Sequence, residues 1–311
     1  MMQQATQSQA ADKQQRIAGL ERLVKRLHTS NSIAVTILSI VTGLVVLGFI
    51  SIIVKLLLDG LPYLINPDFL VGQGVGAVGA QIFNTLYILV FAEILLIPIS
   101  LAAAIYLIEY APQGKLVQAI HFAADTLNGV PSIVLGLFGF AFFAVYLGHT
   151  FGFNISRLAG ALTLLCLNFP IALRLFEDAL TSVSREMREG GLALGSTKWH
   201  TIRTVVLPSA LPGIVTGIVL TAGKIIGESA ALVFTMGSTN PLNSFTLNPL
   251  ISSDTLTVHI WYLKTSGGGL PYNVQNAISA GSSALLIVLL LVINLLARLV
   301  GRIIQRRVTS A

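Results

Sequence analysis

Two oppositely charged residues, Lys224 and Glu228, lie close together inside an apolar stretch of the sequence. In a helix, residues four apart share one face and are separated by about 6 Å along the axis. A lysine at mid-membrane costs about 2.5 to 3.5 kcal/mol on insertion scales, so this face is expected to look into a helix bundle or a water-filled path. Glu93 is predicted to lie at similar depth, just before Pro98. The three charges suit either an ion pathway or a buried pair that only neutralises itself.

The sequence lacks the patterns of a catalytic or metal-binding protein. The nearest approach to the phosphate-cradling GxxxxGK(S/T) loop runs from Gly190 to Ser196, and it has no lysine at the required place. No HExxH motif and no paired histidines occur, and Cys166 is the single cysteine. We therefore expect no catalytic residue, no metal site and no cofactor bound by this chain, and ATP hydrolysis, if any, on a separate subunit.

Composition points to a membrane protein. Of the 311 residues, 54% are hydrophobic and only 10% are charged, which is too little charge for a soluble globular domain. A bilayer is crossed by about 20 apolar helical residues. The sequence predicts an all-α integral membrane protein with six transmembrane helices. These spans are expected at about 33–56, 81–107, 121–147, 158–176, 209–235 and 278–299.

The distribution of Lys and Arg predicts the orientation, because cytoplasmic loops hold the excess. With the N-terminus inside, the cytoplasmic segments hold 13 of these residues and the opposite loops hold two, Arg157 and Lys264. Both termini are thus predicted in the cytoplasm, as a basic amphipathic segment over 1–32 and a basic tail over 301–311. The net charge of +6 then reflects topology and attraction to membrane lipid, and nucleic acid is not expected as a partner.

The longest internal loop on the predicted cytoplasmic side, residues 177–208, contains EGGLALGSTKWHTIRTVVLP. Its residues predict two short helices with a bend at Gly195, the second capped by Ser196 or Thr197 and ending at Leu207 and Pro208. Periodicity alone equally allows an amphipathic hairpin without a role.

This loop resembles the EAA loop of bacterial ABC importer permeases. The shared pattern is EGG, three residues, glycine, nine residues and VxLP, where the family has EAA and IxLP. In the family, the first helix of the loop docks into a cleft of a cytoplasmic ATPase, which implies the same role here. Two glycines in place of the alanines weaken a helix by about 1 kcal/mol each. The residues carried over by position are Glu189, Gly190, Gly191, Gly195, Leu207 and Pro208.

Three further motifs resemble the permease subunits of phosphate-specific ABC importers, of the PstA type. They are AIYLIEYAP at 104–112, NGVPSIVLGLFGF at 128–140 and IGESAALVFT at 226–235. The resemblance implies a type I ABC importer permease fold in the bacterial plasma (inner) membrane. It also implies four kinds of partner: a homologous second permease subunit, an ATPase dimer carrying ATP and magnesium, an extracytoplasmic phosphate-binding protein and membrane lipid.

The same resemblance implies a translocation pathway in span 5. The family usually carries arginine ahead of a Gly-Glu-Ser/Thr-Ala motif, and here Lys224 precedes Glu228 and Ser229. Lysine keeps the charge but loses the bidentate contact with an oxyanion. A carboxylate at Glu228 would accept the proton that hydrogen phosphate carries and sulfate lacks. Glu93 lies outside the family pattern and is expected to be a local counter-ion of Lys224.

Alternative functions remain open from the sequence. A permease for another oxyanion, sulfate or molybdate, would share the loop and the fold. A secondary transporter would explain the buried charges without an ATPase, and a membrane enzyme fits least because no nucleophile and base are visible. The loops 59–80 and 237–277, rich in Gly, Pro and Asn, suit either a surface for the delivering protein or ordinary connections.

Overall fold

The computed structural model describes residues 2–72, 76–238 and 245–309, and most of them are helical. The α-helices in these ranges are α1 Met2–Leu64, α2 Pro67–Val71, α3 Gly79–Ile105, α4 Lys115–Asn128, α5 Ser132–Gly139, α6 Gly148–Phe151, α7 Arg157–Thr181, α8 Arg185–Ala193, α9 Lys198–Thr201, α10 Leu207–Gly227, α11 Ala230–Thr235, α12 Leu256–Thr265 and α13 Tyr272–Thr309. Three π-helical segments, Tyr106–Tyr110, Phe140–Leu147 and Ile202–Val206, continue helices without a break, and Gly267–Gly269 is a 3₁₀ turn.

The chain divides into two compact units, residues 1–56 and residues 57–311. The first unit is helical over its described residues, within α1. The predicted amphipathic surface around Ile17, Leu20 and Val24 lies outside the described side chains and stays a prediction.

Six helical segments are long and apolar enough to cross a membrane, which confirms the predicted all-α, six-span class. Each contains or overlaps one predicted span. They are Leu27–Leu64, Gly79–Tyr110, Ser132–Phe151, Arg157–Thr181, Lys198–Gly227 and Tyr272–Ile303.

In the second unit, α7 is the central helix. It packs against α3 and α10, and its buried side chains include Leu164, Leu173 and Phe176. Close contact between α7 and α10 depends on Gly213 and Gly217, because a Cβ on either would meet Ala179 or Phe176. Because lipid tails are as apolar as these side chains, the contact is stabilised mainly by close van der Waals packing between the helices. This contact fixes α10, which carries Lys224.

Span 3 differs from its predicted range of 121–147. Residues through Asn128 belong to α4, a separate amphipathic helix, and the span begins at Ser132. The break falls at Gly129 and Pro131, since proline has no N–H to continue the helix and disfavours helical geometry in the residue before it. Hydropathy missed this break because the apolar composition continues across it.

Span 5 differs from its predicted range of 209–235 at both ends. Helical structure runs from Lys198 through the π-helical segment into α10, so Leu207 and Pro208 do not end a helix. Pro208 instead lies inside this continuous helix, directly after the π-helical segment, and its missing N–H removes one backbone hydrogen bond there. At the other end α10 stops at Gly227, and Ala230–Thr235 forms a separate short helix.

Candidate functional site

The break after Gly227 sets the geometry of the predicted pathway residues. Glu228 has an extended backbone, with φ −76° and ψ 126°. Its Oε1 accepts a hydrogen bond from the N–H of Ala231 at 3.1 Å, and its carbonyl accepts one from Thr257 Oγ1 at 3.0 Å. Glu228 is thus the residue at which α10 ends, and its charge still interacts with that of Lys224, four positions before it. The carboxylate caps the next helix, and Ser229 lies in the break itself.

Lys224 is partly buried on α10. Within the described ranges it has no hydrogen bond or ion pair, although its charge interacts with that of Glu228. The neighbouring Gly223 and Gly227 have open space where a Cβ would stand. Lys224 thus lies between two glycines whose helix surface is uncovered, an arrangement that leaves room for an anion near this part of α10.

Glu93 is buried and engages Thr221 rather than Lys224. Thr221 Oγ1 donates to Glu93 Oε1 at 2.8 Å, which ties α3 to α10. Among the described atoms, Glu93 Oε2 is buried without a hydrogen-bond partner. The structure does not bring Glu93 into an ion pair with Lys224, as the counter-ion expectation required.

The segment between α7 and α10, residues 182–206, is called the connecting segment below. It contains two helices, α8 and α9, as the sequence predicted. The bend between them is at Gly195, whose φ of +83° lies in the left-handed region that favours glycine. Thr197 is the cap of the second helix, because its Oγ1 accepts from the N–H of His200 at 3.3 Å.

Helix α8 presents an uncovered surface. It has no buried residue, and Glu189 is exposed. Large apolar side chains are exposed nearby, including Met187, Leu192 and Leu194, which is 88% exposed. Contiguous exposed apolar groups rimmed by charge are typical of protein interaction sites.

The two adjacent glycines of α8 have different surroundings. A Cβ on Gly190 would meet nothing within 4 Å. A Cβ on Gly191 would come within 2.7 Å of Thr201 Cγ2, closer than real side chains approach. Gly191 therefore lets α8 lie directly against the end of α9, whereas Gly190 has no such packing role in this chain.

Arg188 joins α8 to two spans. Its Nε donates to Glu109 Oε1 at 3.0 Å, and its Nη1 and Nη2 each donate at 2.7 Å to the carbonyls of Val183 and Leu180. Those carbonyls lie at and just beyond the end of α7, where helical acceptors lack partners. The Glu109 side chain is 8% exposed, so the pair is largely withdrawn from solvent.

Lys198 makes a second connection to the same point. Its Nζ donates to the carbonyl of Glu109 and lies 5.1 Å from the centre of the Tyr110 ring. Both helices of the connecting segment are thus attached to the end of span 2. Sequence reasoning missed these contacts, since Glu109 lies 79 residues from Arg188, and only its position in the AIYLIEYAP motif marked it.

Arg157, predicted to lie in an outer loop, is fully buried at the start of α7. Its Nε donates to Ser253 Oγ at 2.9 Å and its Nη2 to Asn84 Oδ1 at 2.5 Å, and Nη1 donates to the carbonyl of Thr246. The guanidinium lies 4.7 Å from the centre of the Tyr87 ring. Arg157 thus holds the residues just before α12 against α3 and α7. This attachment lies at the start of α7, whereas the connecting segment follows the end of α7.

A carboxylate continues this buried polar network. Asp254 is 1% exposed, and its oxygens accept from Gln81 Nε2 at 3.2 and 3.3 Å. His259 Nδ1 lies 2.9 Å from Asp254 Oδ2, and Asn84 Nδ2 donates to the Asp254 carbonyl at 3.0 Å. Gln81 and Asn84 lie 173 and 170 residues from Asp254 in the chain, which is why spacing did not reveal these contacts.

Comparison with known protein families gives a match over residues 96–310 to the binding-protein-dependent transport system inner membrane component family. YqgI of Bacillus subtilis, a probable ABC transporter permease protein, is 37% identical over 245 residues, 76% of this chain and 81% of that protein. The phosphate transport system permease protein PstA 1 of Mycobacterium tuberculosis H37Rv is 39% identical over 171 residues. That match covers 55% of this chain and 54% of PstA 1, so the chain spans about half of this relative.

Solved structures of ABC importers share the fold. A bacterial alginate ABC transporter, solved with an alginate-bound periplasmic protein, matches 81% of this chain and 88% of its own with a TM-score of 0.61 and 16% identity. The inward-facing MetNI methionine ABC transporter matches 75% of this chain and 95% of its own, with a TM-score of 0.52 and 22% identity. These matches confirm the predicted type I importer permease fold.

Proposed function

The chain belongs to the family of binding-protein-dependent transport system inner membrane components, and we propose that it is the PstA-type permease subunit of an ATP-driven phosphate importer. The observation that carries the phosphate assignment is the 39% identity with a phosphate transport permease over 171 residues. The motifs at 104–112, 128–140 and 226–235 support the same branch. A homologous second permease would complete the pathway.

The location follows from the same proposal. The six apolar segments support a multi-pass membrane protein, and the proposed PstA-type role puts it in the bacterial plasma membrane. Both termini and the connecting segment lie in the cytoplasm, as the excess of Lys and Arg on that side supports. The segment around α12 and Arg157 then lies outside, where it would meet the phosphate-binding protein.

Transport in this proposal depends on Lys224 as a contact for the anion. Lys224 is partly buried, its ammonium has no hydrogen-bonding partner among the described residues, and the neighbouring Gly223 and Gly227 leave open space on the helix. A cation held in a medium of lower dielectric attracts an anion more strongly than one in water. Glu228 and Ser229, in the helix break just beyond, are positioned to contact the same anion.

Coupling in this proposal passes through the connecting segment. Helix α8, with its exposed Glu189 and apolar side chains, docks on the ATPase, which holds ATP and magnesium. Movement of α8 reaches span 4 through the Arg188 contacts with the end of α7 and reaches span 5 through α9. It also reaches span 2 through Glu109.

The test is reconstitution of the whole transporter: this chain, the second permease, the ATPase and the binding protein in proteoliposomes. We expect uptake of radiolabelled phosphate that requires ATP and the binding protein, and no uptake of sulfate or molybdate. Uptake of one of those oxyanions in preference to phosphate would contradict the substrate. Phosphate uptake that persists without the ATPase would contradict the importer class.

A further inference from the structure

A groove between α10 and α13 lies at the end of the bundle that carries the connecting segment. It encloses about 260 Å³. Arg298 and Arg302 border it from α13, one helical turn apart, and Thr216 adds a hydroxyl from α10. None of these residues belongs to the pathway or to the ATPase contact. The remaining lining residues are Pro212, Val215, Val219, Leu220 and Gly301.

The two arginines have no counter-charge in the groove. Both are exposed, and within the described ranges neither forms an ion pair or a hydrogen bond. The sequence supplies no acidic residue on either wall, because α10 has none and Asp254 is the last acidic residue of the chain. Two guanidinium groups about 6 Å apart along a helix therefore require an anion from outside this chain.

The walls of the groove are apolar and fixed. Val215, Val219 and Leu220 come from α10, and Leu220 is 52% exposed. Gly301 is buried against Val215, so a side chain at this position would push α13 away from α10. The close approach of the two helices holds Arg298 and Arg302 on either side of the contact.

Depth in the membrane identifies the kind of anion. No charged residue occurs from 265 to 297, so Arg298 is the first charge after a long apolar stretch. It therefore lies where acyl chains give way to headgroups. A site that combines two guanidinium groups, one hydroxyl and an apolar wall matches an amphiphile with a phosphodiester headgroup, since arginine binds phosphate oxygens in a bidentate manner.

We propose that this groove binds one anionic phospholipid, with its phosphodiester on Arg298 and Arg302 and an acyl chain along Val215, Val219 and Leu220. The site goes beyond the proposed transport function and does not depend on the transported substrate. It places a lipid between span 5, which carries Lys224, and span 6.

The experiment uses the purified complete transporter, with phosphatidylglycerol as the probe in phosphatidylcholine nanodiscs. Native mass spectrometry counts retained phosphatidylglycerol as its fraction is raised. The double variant Arg298→Gln/Arg302→Gln is expected to lower the affinity about 30-fold, from about 1 kcal/mol per arginine near the surface and 1.4 kcal/mol per factor of ten. Lys115→Gln, an exposed cation at the start of α4, is the matched control and is expected to retain the lipid.

Two further arms separate the alternatives. Leu220→Trp fills the groove without changing charge, and it is expected to expel the lipid while the complex stays assembled. Inorganic phosphate at millimolar concentration is expected not to displace the lipid. Three results would each overturn the proposal. They are an equal loss of phosphatidylglycerol in Lys115→Gln, unchanged retention of the lipid in the double arginine variant or in Leu220→Trp, and displacement of the lipid by inorganic phosphate. The last result would assign the site to free phosphate.

Discussion

Arg188 Nε lies 3.0 Å from Glu109 Oε1, and this contact joins the exposed helix α8 to the end of span 2. The same guanidinium bonds two carbonyls at the end of span 4. One side chain thus connects the helix that is proposed to meet the ATPase with two spans at once. Spans 2 and 4 are not consecutive in the sequence.

Arg188→Gln is expected to separate ATP hydrolysis from phosphate uptake, because it leaves the Glu109 carboxylate largely buried and unpaired. Removing one partner of a buried pair is costly, here about 2 kcal/mol since Arg188 retains some exposure. The measurement is the ratio of phosphate taken up to ATP hydrolysed in proteoliposomes. The exchange Arg188→Glu with Glu109→Arg is expected to recover part of this ratio.

The control for that prediction is Arg174→Gln. Arg174 and Asp125 form an exposed pair at 3.9 Å between α7 and α4, without contact to α8. Exposed pairs contribute little, so uptake per ATP is expected to stay unchanged. Equal effects of Arg174→Gln and Arg188→Gln would show that the Arg188 contact has no special part in coupling.

Gly190→Ala and Gly191→Ala are expected to have opposite effects. Gly190 has open space, so alanine should stabilise α8 by about 1 kcal/mol. At Gly191 the added methyl group meets Thr201 and forces α8 from α9. The measurement is the amount of ATPase that co-purifies with each variant. We expect this amount to be unchanged for Gly190→Ala and reduced for Gly191→Ala. Restoration by Gly191→Ala/Thr201→Ser would identify the Thr201 methyl group as the cause.

Lys224→Gln is expected to reduce phosphate uptake roughly 10- to 100-fold, the value of one charge-assisted hydrogen bond. Lys224→Arg keeps the charge and adds a bidentate geometry, so uptake should be preserved. Initial uptake rates in proteoliposomes measure both. Lys115→Gln removes an exposed lysine at the start of α4 and serves as the control. Normal uptake by Lys224→Gln would remove Lys224 from the pathway.

Glu228→Gln and Glu228→Ala distinguish a selectivity role from a capping role. Glutamine retains an oxygen to accept the Ala231 N–H, whereas alanine leaves that N–H without its acceptor. We expect Glu228→Gln to fold normally and to weaken the preference for phosphate over sulfate when the binding protein is bypassed. An unchanged preference in Glu228→Gln, with instability only in Glu228→Ala, would leave capping as the role of this carboxylate.

Arg157→Gln is expected to destabilise the second unit by about 3 kcal/mol, because it removes several hydrogen bonds from a buried charge and leaves Asn84 and Ser253 without their donor. Arg157→Lys keeps the charge but not the fork of donors, so an intermediate loss is expected. Thermal unfolding in detergent measures the difference. Lys115→Gln is again the exposed control, and a midpoint unchanged by Arg157→Gln would contradict the fastening role.

The sequence predicted features whose causes are local. The left-handed bend at Gly195 and the cap at Thr197 depend on a few neighbouring residues, and both are present. The break at Glu228 was not predicted, since apolar composition continues through Thr235 while the helix ends. Its cause includes the contact from Thr257, 29 residues away, which no local pattern contains.

Buried polar partners were the hardest to predict. Hydropathy placed Glu93 in the membrane correctly but could not choose between Lys224 and Thr221 as its partner. Arg157 counted only as a loop charge, because its contacts with Asn84 and Ser253 come from distant segments. The distribution of charged residues predicts on which side of the membrane a loop lies. The hydrogen-bond partners of a buried charge depend on the three-dimensional packing.

The unbroken helix from Lys198 to Gly227 acts as a lever. Its 30 residues span about 45 Å at 1.5 Å per residue. Lys224 stands near the far end of this rod, so a tilt of roughly 10° about its start would carry the ammonium group through about 7 Å. The π-helical segment Ile202–Val206 lies close to the pivot, where such a segment gives the rod its most compliant turn. In the proposed coupling, a small rotation of the connecting segment would thereby become a displacement of several ångströms, about 7 Å, at Lys224.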